Sequence, residues 1–147
     1  MYYSFNQSGN NHFDWTLKYK KAGVIMRNKI FGNFNNSKTL RIEVPEGAMK
    51  RQLFSGENVM LVKNVVEAHS KVPSHNHPHE QILYIISGEC DITVGEGNDT
   101  QVKRCGAGEI VLFPGDVEHG INCVGDEDLV VFDIFSPIRE EWIKDFE

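Results

Sequence analysis

No apolar run in this chain approaches the roughly 20 residues that a helix needs to span a bilayer, so no membrane-crossing segment is expected within it. Residues Met1 to Asn11 are polar and lack the apolar centre of a secretory signal. Cysteine is scarce: Cys90, Cys105 and Cys123 are odd in number, far apart and never arranged as Cys-x-x-Cys. The simplest account is three free, mostly buried thiols in a reducing, cytoplasmic setting. Positive charge is also short. Lys and Arg total 15 against 21 Asp and Glu, a formal net charge of −6, which argues against a nucleic-acid-binding surface. Helical periodicity is missing up to residue 136.

What remains is strand after strand. At 147 residues and 40% hydrophobic content, the chain is long enough for one domain with its own core. Leu40, Ile42 and Val44 alternate with Arg41 and Glu43, and Pro45-Glu46-Gly47 turns the chain. Met49 to Phe54, Val59 to Glu67, and Ile82 to Ile86 follow, the last closed by Ser87-Gly88. Cys90 to Val94, Gln101 to Arg104, Ile110 to Phe113, His119 to Val124 and Leu129 to Phe135 complete the series, most of them separated by Gly, Pro, Asp or Asn. Closely spaced short strands with turn chemistry between them predict an all-β antiparallel sandwich or barrel. Ser136-Pro137 reads as the start of a short C-terminal helix, with Ser as N-cap and Trp142 and Phe146 on one apolar face. Residues 1–37 are Asn-rich and read as an N-terminal arm or an added edge strand around Trp15, Leu17 and Tyr19, ahead of a domain spanning 38–147.

Histidine is concentrated. Of six in the chain, three fall at His75, His77 and His79. If this segment is extended, residues two apart share a face, so His75 and His77 form a preformed half of a metal site. A His-rich surface loop that binds nothing is the plainer reading of such a cluster. Spacing alone leaves the third ligand open between His79, Gln81 and, through a bulge at Pro78, Glu80. A second half follows at His119.

Together the two stretches resemble the paired motifs of the cupin superfamily. His75, His77, Gln81 and Gly88 match the first motif, and Gly108, Pro114 and His119 match the second. Asp116 stands where Gly is usual, and Cys123 where Asn is usual. The resemblance covers roughly residues 39–136 and implies a jelly-roll β-barrel with a divalent transition metal (Ni, Zn, Mn or Fe) on His75, His77, Gln81 and His119. Position 81 is usually Glu. A neutral Gln leaves the ion's charge uncompensated, which favours Lewis acidity and anionic ligands over the two-His, one-carboxylate set of O₂-activating iron.

The stretch Asp133-Ile134-Phe135-Ser136-Pro137-Ile138-Arg139 adds a second set of residues. Read alone, Asp133 is a solvated outer-face acid and Arg139 a surface charge at a helix start. With Gly56 to Val62 and His75 to Glu89, however, the stretch is similar to the pectin-degradation (KdgF-type) cupins. Those convert 4,5-unsaturated monouronates to linear keto acids. The resemblance implies roles for Asp133, Phe135 and Arg139 in activity, a small acidic sugar-derived substrate and a homodimer. Arg51 or Lys63 would supply further local attraction for an acidic substrate. Other metal-cupin isomerases or dioxygenases, and a non-catalytic sugar- or metabolite-binding cupin, are the competing readings.

Overall fold

The computed structural model describes residues 31–146. Ten strands follow one another: β1 (Leu40–Val44), β2 (Gly47–Ser55), β3 (Met60–Val66), β4 (Lys71–His75), β5 (Glu80–Ser87), β6 (Glu89–Val94), β7 (Gln101–Gly106), β8 (Ile110–Phe113), β9 (His119–Cys123) and β10 (Leu129–Ser136). A single α-helix, α1 (Glu140–Phe146), closes the described chain, and no described helix is long and apolar enough to cross a membrane. The strands form a six-stranded sheet, in the order β1-β2-β3-β10-β5-β8, and a four-stranded sheet, β4-β9-β6-β7. Every pairing is antiparallel. This is the all-β antiparallel architecture expected from the strand pattern, in the jelly-roll form that the motif resemblance implies.

Two-residue alternation drives the assembly. Along β3, Met60, Val62, Asn64 and Val66 are buried while the residues between them are half-exposed. β5 and β10 alternate in the same way, so each buries one face and presents the other. The inner faces enclose a core that includes Leu83, Ile85, Phe113, Leu129 and Val131. Cys90, Cys105 and Cys123 sit in that core as free thiols. Burial pushes the Cys90 pKa up to about 12, so this thiol packs as a small apolar side chain. A second cluster, Met60, Val62, Phe135, Ile138 and Ile143, lies where α1 packs on the end of the six-stranded sheet.

Two local expectations need correction. The histidine stretch is not one continuous strand: β4 stops at His75 and β5 begins at Glu80. Asn76 to His79 cross from the small sheet to the large one, and Pro78, with no amide hydrogen, cannot continue a ladder there. The C-terminal helix begins at Glu140 rather than after Ser136, because Ser136 still pairs with Glu80 as the last residue of β10. Its buried residue is Ile143, with Trp142 packed beside it. The strand expected around Trp15, Leu17 and Tyr19 lies outside the described residues. Of the arm, residues 31–37 lie against the large sheet: the Gln52 side-chain amide donates to the carbonyls of Phe34 (2.6 Å) and Ser37 (3.3 Å).

Two turn residues show why the motif positions are restricted. Gly88, between β5 and β6, has φ +85°, and a Cβ there would meet the Leu129 Cα at 2.8 Å. Asp116 replaces a customary Gly and has φ +64°, a left-handed conformation that Asp tolerates better than most residues. Its amide donates to the His77 carbonyl at 2.8 Å, tying the β8–β9 turn to the histidine crossover. Replacing Gly88 by Ala is expected to destabilise the protein by roughly 1–3 kcal/mol, through backbone strain and the Leu129 clash. Asp116→Gly should be neutral within about 1 kcal/mol. Urea unfolding of the two variants checks both, and a Gly88→Ala protein as stable as the parent would refute the account.

Candidate metal centre

The register of the small sheet brings the histidines together. His75 ends β4 and His119 begins β9, and the two are direct cross-strand partners. His77 lies in the crossover and Gln81 near the start of β5 in the opposite sheet. Ring centroids are 4.6 Å apart for His75–His119, 4.9 Å for His77–His119 and 5.8 Å for His75–His77. One nitrogen from each ring falls within a 4.8 Å cluster. Phe113 stacks on His119 at 4.3 Å, and Phe135 meets His77 edge-on at 5.6 Å, so apolar rings fix two of the imidazoles.

Hydrogen bonding settles which nitrogens face inward. His75 Nδ1 donates to the Pro73 carbonyl (2.9 Å), His77 Nδ1 to the His79 carbonyl (3.0 Å) and His119 Nδ1 to the Val117 carbonyl (2.8 Å). A carbonyl only accepts, so each Nδ1 carries a proton, and Nε2 is the nitrogen each ring offers to the centre as a lone pair when it acts as a ligand. The Gln81 amide nitrogen donates to Asp133 Oδ1 at 2.7 Å, which turns its oxygen inward as well. That oxygen lies 3.1 Å from His77 Nε2. In neutral His77, both atoms are acceptors. His119 Nε2 is buried with no partner at all. With the three rings in that ligand form, four lone pairs converge with no proton among them, and a cation is the group that satisfies them. The donor set therefore fits a divalent transition metal held by three imidazoles and an amide oxygen.

The electrostatics agree. Burial pulls the His119 pKa down to about 4, and burial together with the nearby Arg139 guanidinium lowers that of His77. Both rings are kept neutral, the state a ligand requires. His79 and Glu80 fall outside the cluster. His79 accepts from His77 through its backbone carbonyl and sets its ring 5.6 Å from that of His77, and Glu80 is exposed. His69 pairs with Asp126 at the surface. His12 lies outside the described residues.

Beyond the histidines lies a cavity of about 160 Å³ between the sheets, lined among others by Arg51, Asn64, Asp133, Phe135, Arg139 and Trp142. Asp133 is 3% exposed, not a solvated outer-face acid. Its two oxygens accept from Gln81 and from the Asn64 side-chain amide, each at 2.7 Å. Burial raises its pKa; the two amide bonds and the Arg51 charge oppose the rise. Arg51 lies 3.8 Å and Arg139 4.2 Å from the Trp142 ring centroid, so two guanidiniums stack on one indole beside the cavity. Burial lowers the Arg51 pKa to about 10. Arg139 Nε donates to Glu141 at 2.5 Å. Lys63, on the outward face of β3, takes no part. The strand pattern alone does not single out Asn64, and it marks Trp142 only as part of an apolar helix face, not as a wall of the cavity. A polar residue at an inward position of the apolar alternation in β3 was the available signal for Asn64.

Comparison with known proteins places this geometry. Residues 64–135 match the family model of the cupin domain. An H2HPP isomerase of Bacillus subtilis is 29% identical over 93 residues, which is 63% of this chain and 38% of that protein. The chain thus spans well under half of the length of this relative. An RmlC-like cupin from Shewanella frigidimarina superposes with a TM-score of 0.68 at 26% identity, over 80% of this chain and 99% of that one. KdgF from a Halomonas species superposes with a TM-score of 0.67 at 22% identity, over 78% of this chain and 98% of that one. Residues 64–135 are thus a cupin domain, and the described residues take the cupin fold.

A pH prediction follows from His119. Its folded pKa, about 4, lies below the usual unfolded value of about 6.5, so the unfolded chain takes up the proton first as pH falls. Metal-free protein should therefore keep its full stability above about pH 6.5 and lose it progressively towards pH 4, with a melting midpoint lower by roughly 5 °C. Saturating Ni or Zn should raise the midpoint at pH 7.5 by several degrees, in His119→Ala far less. Thermal melts of chelated and metal-loaded protein at pH 7.5, 6.0 and 4.5 read both effects. A flat pH profile or equal metal response in His119→Ala would count against the assignment.

Proposed function

We propose that this cupin is a metal-dependent enzyme that opens the ring of 4,5-unsaturated monouronates, the products of pectin or alginate breakdown, to give linear keto acids. The observation that carries the reading is the convergence of Asp133, Phe135 and Arg139 with the three-histidine cluster around one cavity. The shared fold of the Halomonas KdgF supports it. So does Gln81, whose inward oxygen adds no negative charge to the centre.

The substrate is a cyclic hemiacetal whose ring oxygen is attached to an alkene carbon bearing a carboxylate. Opening it moves a proton and breaks one bond, with no net oxidation. The anomeric hydroxyl proton leaves, the bond between the anomeric carbon and the ring oxygen breaks, an aldehyde forms, and the electron pair passes to an enolate. Protonation of the neighbouring alkene carbon completes the keto acid. His75, His77, Gln81 and His119 would hold a divalent ion, which when bound would supply positive charge where oxygen charge develops. Asp133 takes the hydroxyl proton and returns one to carbon; burial raises its pKa towards the range where a carboxyl does both. Arg139 has its Nε held by Glu141, which leaves the terminal nitrogens of its guanidinium to take the substrate carboxylate. Phe135, 2% exposed, keeps water from one wall. Arg51 adds a second cation beside the cavity, so an acidic substrate meets local attraction in a chain of net charge −6.

The isomerase relative favours a second reading, proton relocation in another small acid at the same centre. Both chemistries leave O₂ unconsumed. A homodimer is also part of the proposal. Ile82, Tyr84, Ile110, Leu112 and Ile134 are exposed on the outer face of β5, β8 and β10, where a second copy would cover them. Ile110→Lys with Leu112→Lys should be monomeric by sedimentation; a parent chain already monomeric at high concentration excludes the dimer.

The catalytic reading is tested by the loss of alkene absorbance of a 4,5-unsaturated monouronate. Metal-loaded protein should accelerate it, chelated protein should not, and Asp133→Asn should be slower by about 10²-fold or more with metal still bound. Equal slow loss in all three removes the monouronate activity, and full activity of Asp133→Asn removes the proton role.

A further inference from the structure

Four side chains on four adjacent strands are joined end to end. Arg51 on β2 donates from Nε to Asn64 Oδ1 on β3 at 3.0 Å. Asn64 Nδ2 donates to Asp133 Oδ2 on β10 at 2.7 Å, and Gln81 Nε2 on β5 donates to Asp133 Oδ1 at 2.7 Å. The far end of the Gln81 amide then lies 3.1 Å from His77 Nε2. The sheet order β2-β3-β10-β5 makes the path continuous, and Arg51 and Asn64 are direct cross-strand partners.

Two members of the chain are ambiguous and two are not. An amide has two ends of similar size and opposite hydrogen-bonding character, so Asn64 and Gln81 each fit their sites in either orientation. A guanidinium only donates, and an ionised carboxylate only accepts. Arg51 therefore requires the oxygen of Asn64. That sends the Asn64 NH₂ to Asp133, which holds one carboxylate oxygen and leaves the other for the NH₂ of Gln81. Only then does the Gln81 oxygen face the histidines. Left alone, the metal-free site would favour the reverse. An NH₂ turned inward would donate to the bare Nε2 of His77, and that orientation presents hydrogens, not a lone pair, to a cation. Arg51 is held for this purpose by the Trp142 ring at 3.8 Å and makes no ion pair among the described residues.

We propose that Asn64 and Arg51 are positioning residues for the metal centre, acting through Asp133 to set which end of the Gln81 amide faces the histidines. The inference rests on the reading of Gln81 as a ligand.

Cobalt(II) binding to the full chain tests it, followed by calorimetry and by the visible absorption of the bound ion. Asn64→Leu is expected to weaken cobalt binding about tenfold and to alter the visible band. In a Gln81→Ala background the same substitution should cost less than about twofold, because no amide remains to orient. Arg51→Met should act in the same direction, by roughly threefold, and it keeps the test decisive if Asn64→Leu fails to fold by far-ultraviolet circular dichroism. Equal losses in both backgrounds, or folded Asn64→Leu and Arg51→Met proteins with parental affinity and spectrum, would overturn the positioning role while leaving the histidine centre intact. Undiminished binding by Gln81→Ala would overturn it by removing Gln81 as a ligand. A parent chain that takes up no cobalt would overturn the centre itself and the inference with it.

Discussion

The structure depends on one electrostatic constraint: four acceptor atoms point into a single spot, three of them from buried side chains. Lone pairs repel, and no fold gathers them unless each is held from behind. Here the backbone does the holding. The carbonyls of Pro73, His79 and Val117 each take an Nδ1 proton, and in each case the carbonyl belongs to a residue two positions away in the chain. Such local bonds leave each imidazole little freedom to turn. Gln81 is held instead by a side chain, Asp133, and so depends on the long-range packing of β5 against β10.

That dependence explains the division of labour within the barrel. One part of the interior is an ordinary apolar core, closed by Leu83, Ile85, Phe113 and the three thiols. The other is a polar cavity whose walls are still apolar rings. Phe113 backs His119, Phe135 backs His77, and Trp142 carries both arginines. Charge inside the cavity is local and of both signs: a buried carboxyl, two guanidiniums and neutral imidazoles. The net negative charge of the chain is therefore a poor guide to what the cavity attracts, because screening limits distant surface charges more than the cavity's own groups. The short helix α1 is small, yet it places Trp142 and follows Arg139, so the C-terminal segment belongs to the cavity as much as to the core.

Much of this was legible in the residue order. Alternation along Met60 to Val66 and Leu129 to Phe135, with Gly88 and the Pro114-Gly115 turn as punctuation, marks strands because a pleated backbone has a fixed period of two. The histidine pair and His119 were visible as a spaced motif. Less was legible about how they meet. His75 and His77 were expected on one strand face; instead the chain leaves the small sheet between them. The helix start at Ser136-Pro137 followed capping chemistry, but pairing of Ser136 with Glu80 extended the strand and delayed the helix. Asn64 was overlooked because a lone polar residue in an apolar alternation has no partner in its own segment.

The sequence by itself therefore determined the strand set, the two-motif histidine pattern and the neutral amide at position 81. These are properties of residue type and short spacing. Only the tertiary structure decided which nitrogens carry protons, which face of β10 holds Asp133, and that Arg51 and Asn64 reach it. Those outcomes are set by register between strands distant in the chain: Asp133 lies 69 positions from Asn64 and 52 from Gln81. No local pattern encodes such a register. It is chosen by the burial of whole apolar faces, which brings the polar groups into contact as a consequence.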